Sequence, residues 1–224
     1  MSTMEITNAQ YAEFLNSAGM APGNWWDTTL KGNVEGYGTY TLCEFGSGNN
    51  IEYDGTLWYP TYGKENMPMN YVSWYGAMAY ALWAGATLPT EAQWEYACRA
   101  GTETAWSFDN DSSLAGDYAW FSDNSDFAPG ETGAKLPNGW GLYDMHGNLY
   151  EWCSDWFGND YGLEEITDAT AVTDPTGPAS GYSKVLKGGS WYTPTNYLRS
   201  GYRNPVQPEN CSDSNGFRVV FNAE

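Results

Sequence analysis

Lys184-Val-Leu-Lys-Gly-Gly-Ser-Trp191, Leu198-Arg-Ser-Gly-Tyr-Arg203 and Gly216-Phe-Arg-Val-Val220 are three patterned blocks near the end of the chain. Two runs without hydrophobic period separate them: Tyr192-Thr-Pro-Thr-Asn-Tyr197, and residues 204–215. The β-branched, half-buried pattern predicts strands at 183–187 and 217–221, sharing a sheet. Patterned blocks must pack, whereas unpatterned polar runs usually face solvent. The two runs are therefore expected to converge into one exposed patch of Tyr192, Thr193, Thr195, Asn196, Tyr197, Asn204, Gln207, Asn210, Ser212, Asp213 and Ser214. Rigid Tyr beside adaptable polar residues is the contact chemistry of antibody paratopes. Trp191, inside a block, is expected in the core.

Outward from this end, three helices are legible. Thr7-Asn-Ala-Gln10 is a capping box, since the Thr oxygen can accept from the third amide and the Gln can reach back. Tyr11, Phe14 and Leu15 continue it as an apolar stripe ending near Gly19. Ser73 caps a second helix, Trp74 to Trp83. Thr90-Glu-Ala-Gln93 opens a third, ending near Gly101. Residues 22–70 and 101–183 read as loop-rich, the first with one hairpin. Helices early and strands late predict an α+β domain. No linker-like run divides residues 1–224, so one domain is expected.

The formal net charge is −19 with only nine Lys and Arg, which argues against nucleic acid or an anionic membrane as partner. No apolar run is long enough for membrane insertion, and no signal peptide is recognisable. Cys43, Cys98, Cys153 and Cys211 show no paired spacing, against a zinc knuckle or Cys-x-x-Cys motif. Cys98 reads as a small buried hydrophobe. His146 is the only histidine, so no multi-histidine metal site can form. It is expected to make structural hydrogen bonds. Glu91 and Glu95, one turn apart, are expected on a solvated or salt-bridged helix face.

Glu5-Ile-Thr-Asn-Ala-Gln-Tyr-Ala-Glu-Phe-Leu15, Met67-Pro-Met-Asn-Tyr-Val-Ser-Trp74, Ala86-Thr-Leu-Pro-Thr-Glu-Ala-Gln-Trp-Glu-Tyr96 and Pro137-Asn-Gly-Trp-Gly-Leu-Tyr-Asp-Met-His-Gly-Asn-Leu-Tyr-Glu-Trp152, followed by the terminal blocks, resemble the formylglycine-generating enzyme (sulfatase-modifying factor) family. The resemblance implies a loop-rich, C-type lectin-like α+β fold. The strand that normally precedes the opening helix has no counterpart here. The resemblance also implies structural calcium at Asp144, Glu151 and the backbone carbonyls of Gly147 and Leu149, a hard-oxygen set. The family's second calcium site is not recognisable, because Trp120 stands where an amide ligand is expected. Arg199, Arg203 and Arg218 fall in the C-terminal sheet region, where bidentate structural pairs are expected. Ligand-anion binding by Arg203 is the alternative.

In the family's oxidases two cysteines hold copper. The matching positions here are Thr193 and Leu198, which supply no thiolate for Cu(I), so no copper is expected. The expected function is non-catalytic binding of a protein or other surface ligand through the C-terminal segment 188–220, whose layout resembles retroelement-diversified variable proteins of this lectin-fold branch. Diversification starts from AAY asparagine codons. Most residues of the two runs are reachable that way; Gln207 and Glu209 are not. The alternatives are a fixed-ligand non-catalytic member and an enzyme with an unusual active site.

Overall fold

The computed structural model describes residues 1–24, 27–46, 50–158 and 173–221. Helix α1 (Asn8–Ser17) follows the complete Thr7/Gln10 capping box and buries Tyr11, Phe14 and Leu15. Two hairpins follow: β1 (Thr29–Val34) with β2 (Gly38–Glu44), and β3 (Ile51–Tyr53) with β4 (Trp58–Pro60). The second hairpin is additional to sequence expectation. Helix α2 (Trp74–Trp83) is capped by Ser73, and α3 (Glu91–Arg99) by the Thr90/Gln93 box. A short α4 (Ala115–Tyr118) precedes the C-terminal sheet.

That sheet has the order β7-β6-β5-β8. Its strands are β5 (Tyr150–Trp156), β6 (Lys184–Lys187), β7 (Asn204–Val206) and β8 (Asn215–Gly216). The strand expected at 217–221 begins instead at Asn215 and runs parallel to β5 for two residues. Beyond it, Phe217 and Val219 accept from Ile6 and Ser2 amides, and Val220 bridges Thr87. The segment ahead of α1 thus takes up backbone groups that would otherwise be left open.

The main hydrophobic cluster joins α1, α2, the hairpins, Trp152, Leu186 and Phe217. Close packing of α2 on β2 requires Gly76, where a Cβ would overlap the Leu42 carbonyl. A second cluster centres on Trp94, Cys98 and Cys153. The third, formed by Trp106, Ala115, Ala119, Phe121 and Leu198, lies beneath the first polar run. All four cysteines are free thiols.

Candidate ligand-binding surface

After β6 the chain turns through Gly188 and Gly189, both at positive φ. A Cβ at Gly189 would overlap the Leu198 side chain, so the turn closes tightly over that leucine. The Thr193 hydroxyl accepts from the Ser190 amide at 2.9 Å and donates to the Ser190 carbonyl at 2.9 Å. Ser122 donates its amide to the Thr193 carbonyl, Trp106 its indole to the Thr195 carbonyl, and Ser200 its amide to Ala105. The backbone of the first run is therefore held firmly while parts of it face outward.

The second run is held as well. Tyr71, Trp74 and Tyr150 donate amides to the carbonyls of Ser212, Pro208 and Ser214. The two runs meet through Trp191, whose amide donates to Asn148 and whose indole donates to the Asp213 carbonyl at 3.2 Å. Trp191 is half-buried rather than in the core, because its ring spans the two runs and packs on Tyr192.

Of the predicted surface residues, Tyr192, Asn196, Gln207 and Asn210 are exposed, and Thr195, Tyr197, Asn204, Ser212 and Asp213 are half-buried. Thr193 and Ser214 are corrections: both are buried, Thr193 closing its turn and Ser214 packed where β8 begins. Gln207 is not brought to the others. The β6–β7 register places Asn204 opposite Leu186, near the glycine turn, and Val206 opposite Lys184. Gln207 follows Val206 at the far end of that pair, where it donates to the Tyr182 hydroxyl. Asn204 belongs to an edge strand whose neighbour Pro205 supplies no ladder amide.

Two further tyrosines belong here. Tyr197 and Tyr202 pack edge-to-face at 4.8 Å. Burial, then the neighbouring phenols of Tyr202, Tyr192 and Tyr197, push up the Tyr150 hydroxyl, which also bonds Thr193. Tyr150 thus forms the buried floor of a four-tyrosine cluster. The polarity contrast along the chain hides Tyr202, which lies in a patterned block, and Tyr150, which lies far upstream in the 137–152 segment and is brought here only by the sheet.

Thr193 and Leu198, at the expected copper positions, offer a hydroxyl already committed to its turn and a methyl group packed on Trp106 and Phe121. They do not fit Cu(I), which selects soft sulfur. The Cys98 thiol is buried, donates to the Ser200 hydroxyl at 3.4 Å, lies 3.7 Å from His146 Nε2, and is pushed up to about 12 by burial. His146 Nδ1 faces the Leu198 carbonyl at 2.7 Å, so it carries the ring proton. Nε2 accepts from the Ser107 amide at 3.0 Å and bonds its hydroxyl at 2.8 Å. Burial lowers this imidazole to about 4, leaving it neutral and structural at pH 7.

The arginines divide. Arg203 grips both Glu91 oxygens and crosses the Phe157 ring, the structural pairing expected. Glu95 pairs with Arg99 and with the buried Lys187, so the Glu91/Glu95 face is salt-bridged. Arg218 binds both Glu151 oxygens at 2.7 Å, with both side chains fully buried. Arg199 is exposed and donates to the Asn196 carbonyl.

The predicted calcium donors Asp144 and Glu151 share this interior with Glu5. Burial, reinforced by Asp144 and Glu151, holds Glu5 well above the usual carboxylate range, and burial raises Asp144 to about 6. Asn148 and the Leu149 amide both donate to Glu5. Asp144 and Asn148 adopt left-handed backbone, as a tight turn of carbonyls requires. Glu151 has both oxygens bonded to Arg218 and one also to the Trp94 indole, and Asp144 accepts from the Gly133 amide at 2.7 Å, so protein donors already partner these carboxylates. Among the described residues no three His, Cys, Asp or Glu side chains are grouped to hold a metal.

The sulfatase-modifying factor enzyme 1-like domain model matches residues 1–223. The formylglycine-generating enzyme of Streptomyces coelicolor is 33% identical over 238 residues, 98% of this chain and 67% of that protein. The serine/threonine-protein kinase pkn1 of Chlamydia pneumoniae is 38% identical over 220 residues, 97% of this chain but only 32% of that protein. Among solved structures, Treponema denticola variable protein 1 superposes with a TM-score of 0.68 at 26% identity, covering 97% of this chain and 82% of that one. PvdO from Pseudomonas aeruginosa shares the fold with a TM-score of 0.69 at 24% identity, covering 97% and 78%. The chain belongs to the sulfatase-modifying factor enzyme 1-like family, on a C-type lectin-like fold.

Proposed function

We propose that this chain is a non-catalytic ligand-binding protein whose recognition surface is the ridge of Tyr192, Asn196, Tyr197 and Tyr202, flanked by Asn204, Asn210 and Asp213. The supporting observation is that the positions expected to carry copper thiolates are a turn-closing hydroxyl and a packed leucine, while Tyr192 beside them is exposed and Tyr197 and Tyr202 are half-buried. Tyr supplies large contact area at low entropic cost, and Asn, Ser and Asp supply adaptable hydrogen bonds. The likeness to a variable protein at 26% identity supports a surface diversified by a retroelement. Sequencing the flanking DNA tests that part: a reverse-transcriptase gene beside a near-copy of the 3′ end is expected, and its absence favours a fixed ligand. The relatives named formylglycine-generating enzymes support the competing oxidase reading, which requires a soft copper ligand set that these residues do not provide.

A second proposal is structural calcium at Asp144 and Glu151, motivated by the left-handed turn at Asp144 and Asn148 that gathers hard oxygens beside Glu151. Chelator is then expected to lower Tm, because an ion bound only by the folded state stabilises it. Asp144→Ala is expected to abolish the chelator effect. An unchanged wild-type Tm would show that Arg218 alone balances the cluster.

A further inference from the structure

One face of α3 and the residues Asp155, Pro175 and Gly177 line a cavity of about 370 Å³. That is the small end of the range for ligand pockets, about 300–1,000 Å³. Three carboxylates border it, and two are satisfied. Arg203 holds both Glu91 oxygens, and Glu95 is shared by Arg99 at 2.8 Å and Lys187 at 3.0 Å. Asp155, only 4% exposed, is satisfied on one side alone. Its Oδ2 accepts from the Glu91 amide at 2.9 Å and from the Ser154 hydroxyl at 3.1 Å. Among the described residues nothing donates to Oδ1. That oxygen faces Gly177, where a Cβ would lie 3.3 Å from it and where no side chain covers it. Lys184, the cation whose field reaches Asp155, donates instead to the Ser154 carbonyl and lies over the Trp74 and Trp156 rings at 4.1 and 3.9 Å. Burial holds the Asp155 carboxyl above its usual range, and Lys184 offsets only part of this.

We propose that this cavity is a further binding site, for a small organic cation whose ammonium group pairs with Asp155 Oδ1. A carboxylate buried without a counter-charge is costly, so a ligand that brings one is stabilised where the free protein is not. A neutral hydroxyl would satisfy the oxygen but leave the charge. An anion would find Arg99 already engaged by Glu95. Tyr96, 69% exposed and packed on Trp140 at 5.0 Å, supplies an aromatic wall suited to a cation and its carbon skeleton. The net charge of −19 draws cations toward the protein as a whole. None of the lining residues belongs to the tyrosine ridge, so either site can fail without the other.

Tyramine, tryptamine and cadaverine are the probes, each beside its fully N-acetylated, uncharged counterpart, titrated against the full chain by ligand-observed NMR and calorimetry. At least one amine is expected to bind, and its acetylated form to bind roughly tenfold more weakly or worse, because the ion pair is lost. Asp155→Asn keeps the side chain's shape and an acceptor for the Glu91 amide, and is expected to weaken the amine by a similar factor. Ala92→Phe, on the helical wall of the cavity, is expected to block binding by filling the space, and serves in its place if thermal melts show Asp155→Asn to be unfolded. Tyr62→Ala, at an exposed ring outside the cavity, is expected to bind as wild type does. Equal binding of an amine and its acetylated form overturns the cation class of ligand. Amine binding indifferent to Asp155→Asn and to Ala92→Phe overturns the site. Failure of all the amines to bind overturns the proposal and leaves the tyrosine ridge untouched.

Discussion

At the residue scale the decisive groups are buried and charged. Removing Arg218 leaves Glu151 unpaired in a fully buried site, so Arg218→Met is expected to cost about 3–5 kcal/mol by denaturant titration. Arg218→Met with Glu151→Gln should recover part of that loss. His146 makes a pH prediction. Its folded pKa is about 4, below the ordinary 6.5, so the unfolded chain takes up a proton that the folded one refuses. Its contribution is complete above about pH 6.5, falls as pH drops toward 4, and amounts to about 3 kcal/mol. Asp144, raised to about 6, acts in the opposite sense between about pH 6 and 3.8. The readout is therefore the difference between wild type and His146→Gln; parallel curves would mean that His146 protonates freely in the folded state.

At the element scale, helices were legible because their caps are local. Both capping boxes form as expected, and Thr90→Ala is predicted to cost about 1 kcal/mol. Gly76→Ala separates local from tertiary effects. Propensity alone favours Ala in a helix by about 1 kcal/mol. Overlap with the Leu42 carbonyl should outweigh this and destabilise by about 1–3 kcal/mol. Strand β5 was not legible. It is buried along nearly its whole length, so no alternation marks it, and its composition of Trp, Cys, Ser and Asp lacks β-branched residues. Strand β7 was hidden by Pro205, which an edge tolerates. The surface was legible in outline, since Tyr192, Asn196 and Asn210 do face outward. Thr193, Ser214 and Gln207 were not, because a turn's internal hydrogen bonds and a strand's register are tertiary facts.

At the scale of the whole molecule, a sheet and three hydrophobic clusters hold the tyrosine ridge in place, and the positions expected to carry copper chemistry serve packing. Tyr192→Ala, Asn196→Ala and Asn210→Ala together are expected to shift stability by at most about 0.5 kcal/mol each, while Trp191→Ala, which loosens the link between the runs, costs more than any of them. Among the described residues no helix is long and apolar enough to cross a membrane. The central claim is that binding has replaced oxidation on this scaffold. It is tested most directly by adding Cu(I), oxygen and a sulfatase-type cysteine peptide to the purified protein and following the peptide by mass spectrometry. The account predicts no stoichiometric copper uptake and no aldehyde above the buffer background; aldehyde formation that scales with protein concentration would contradict it.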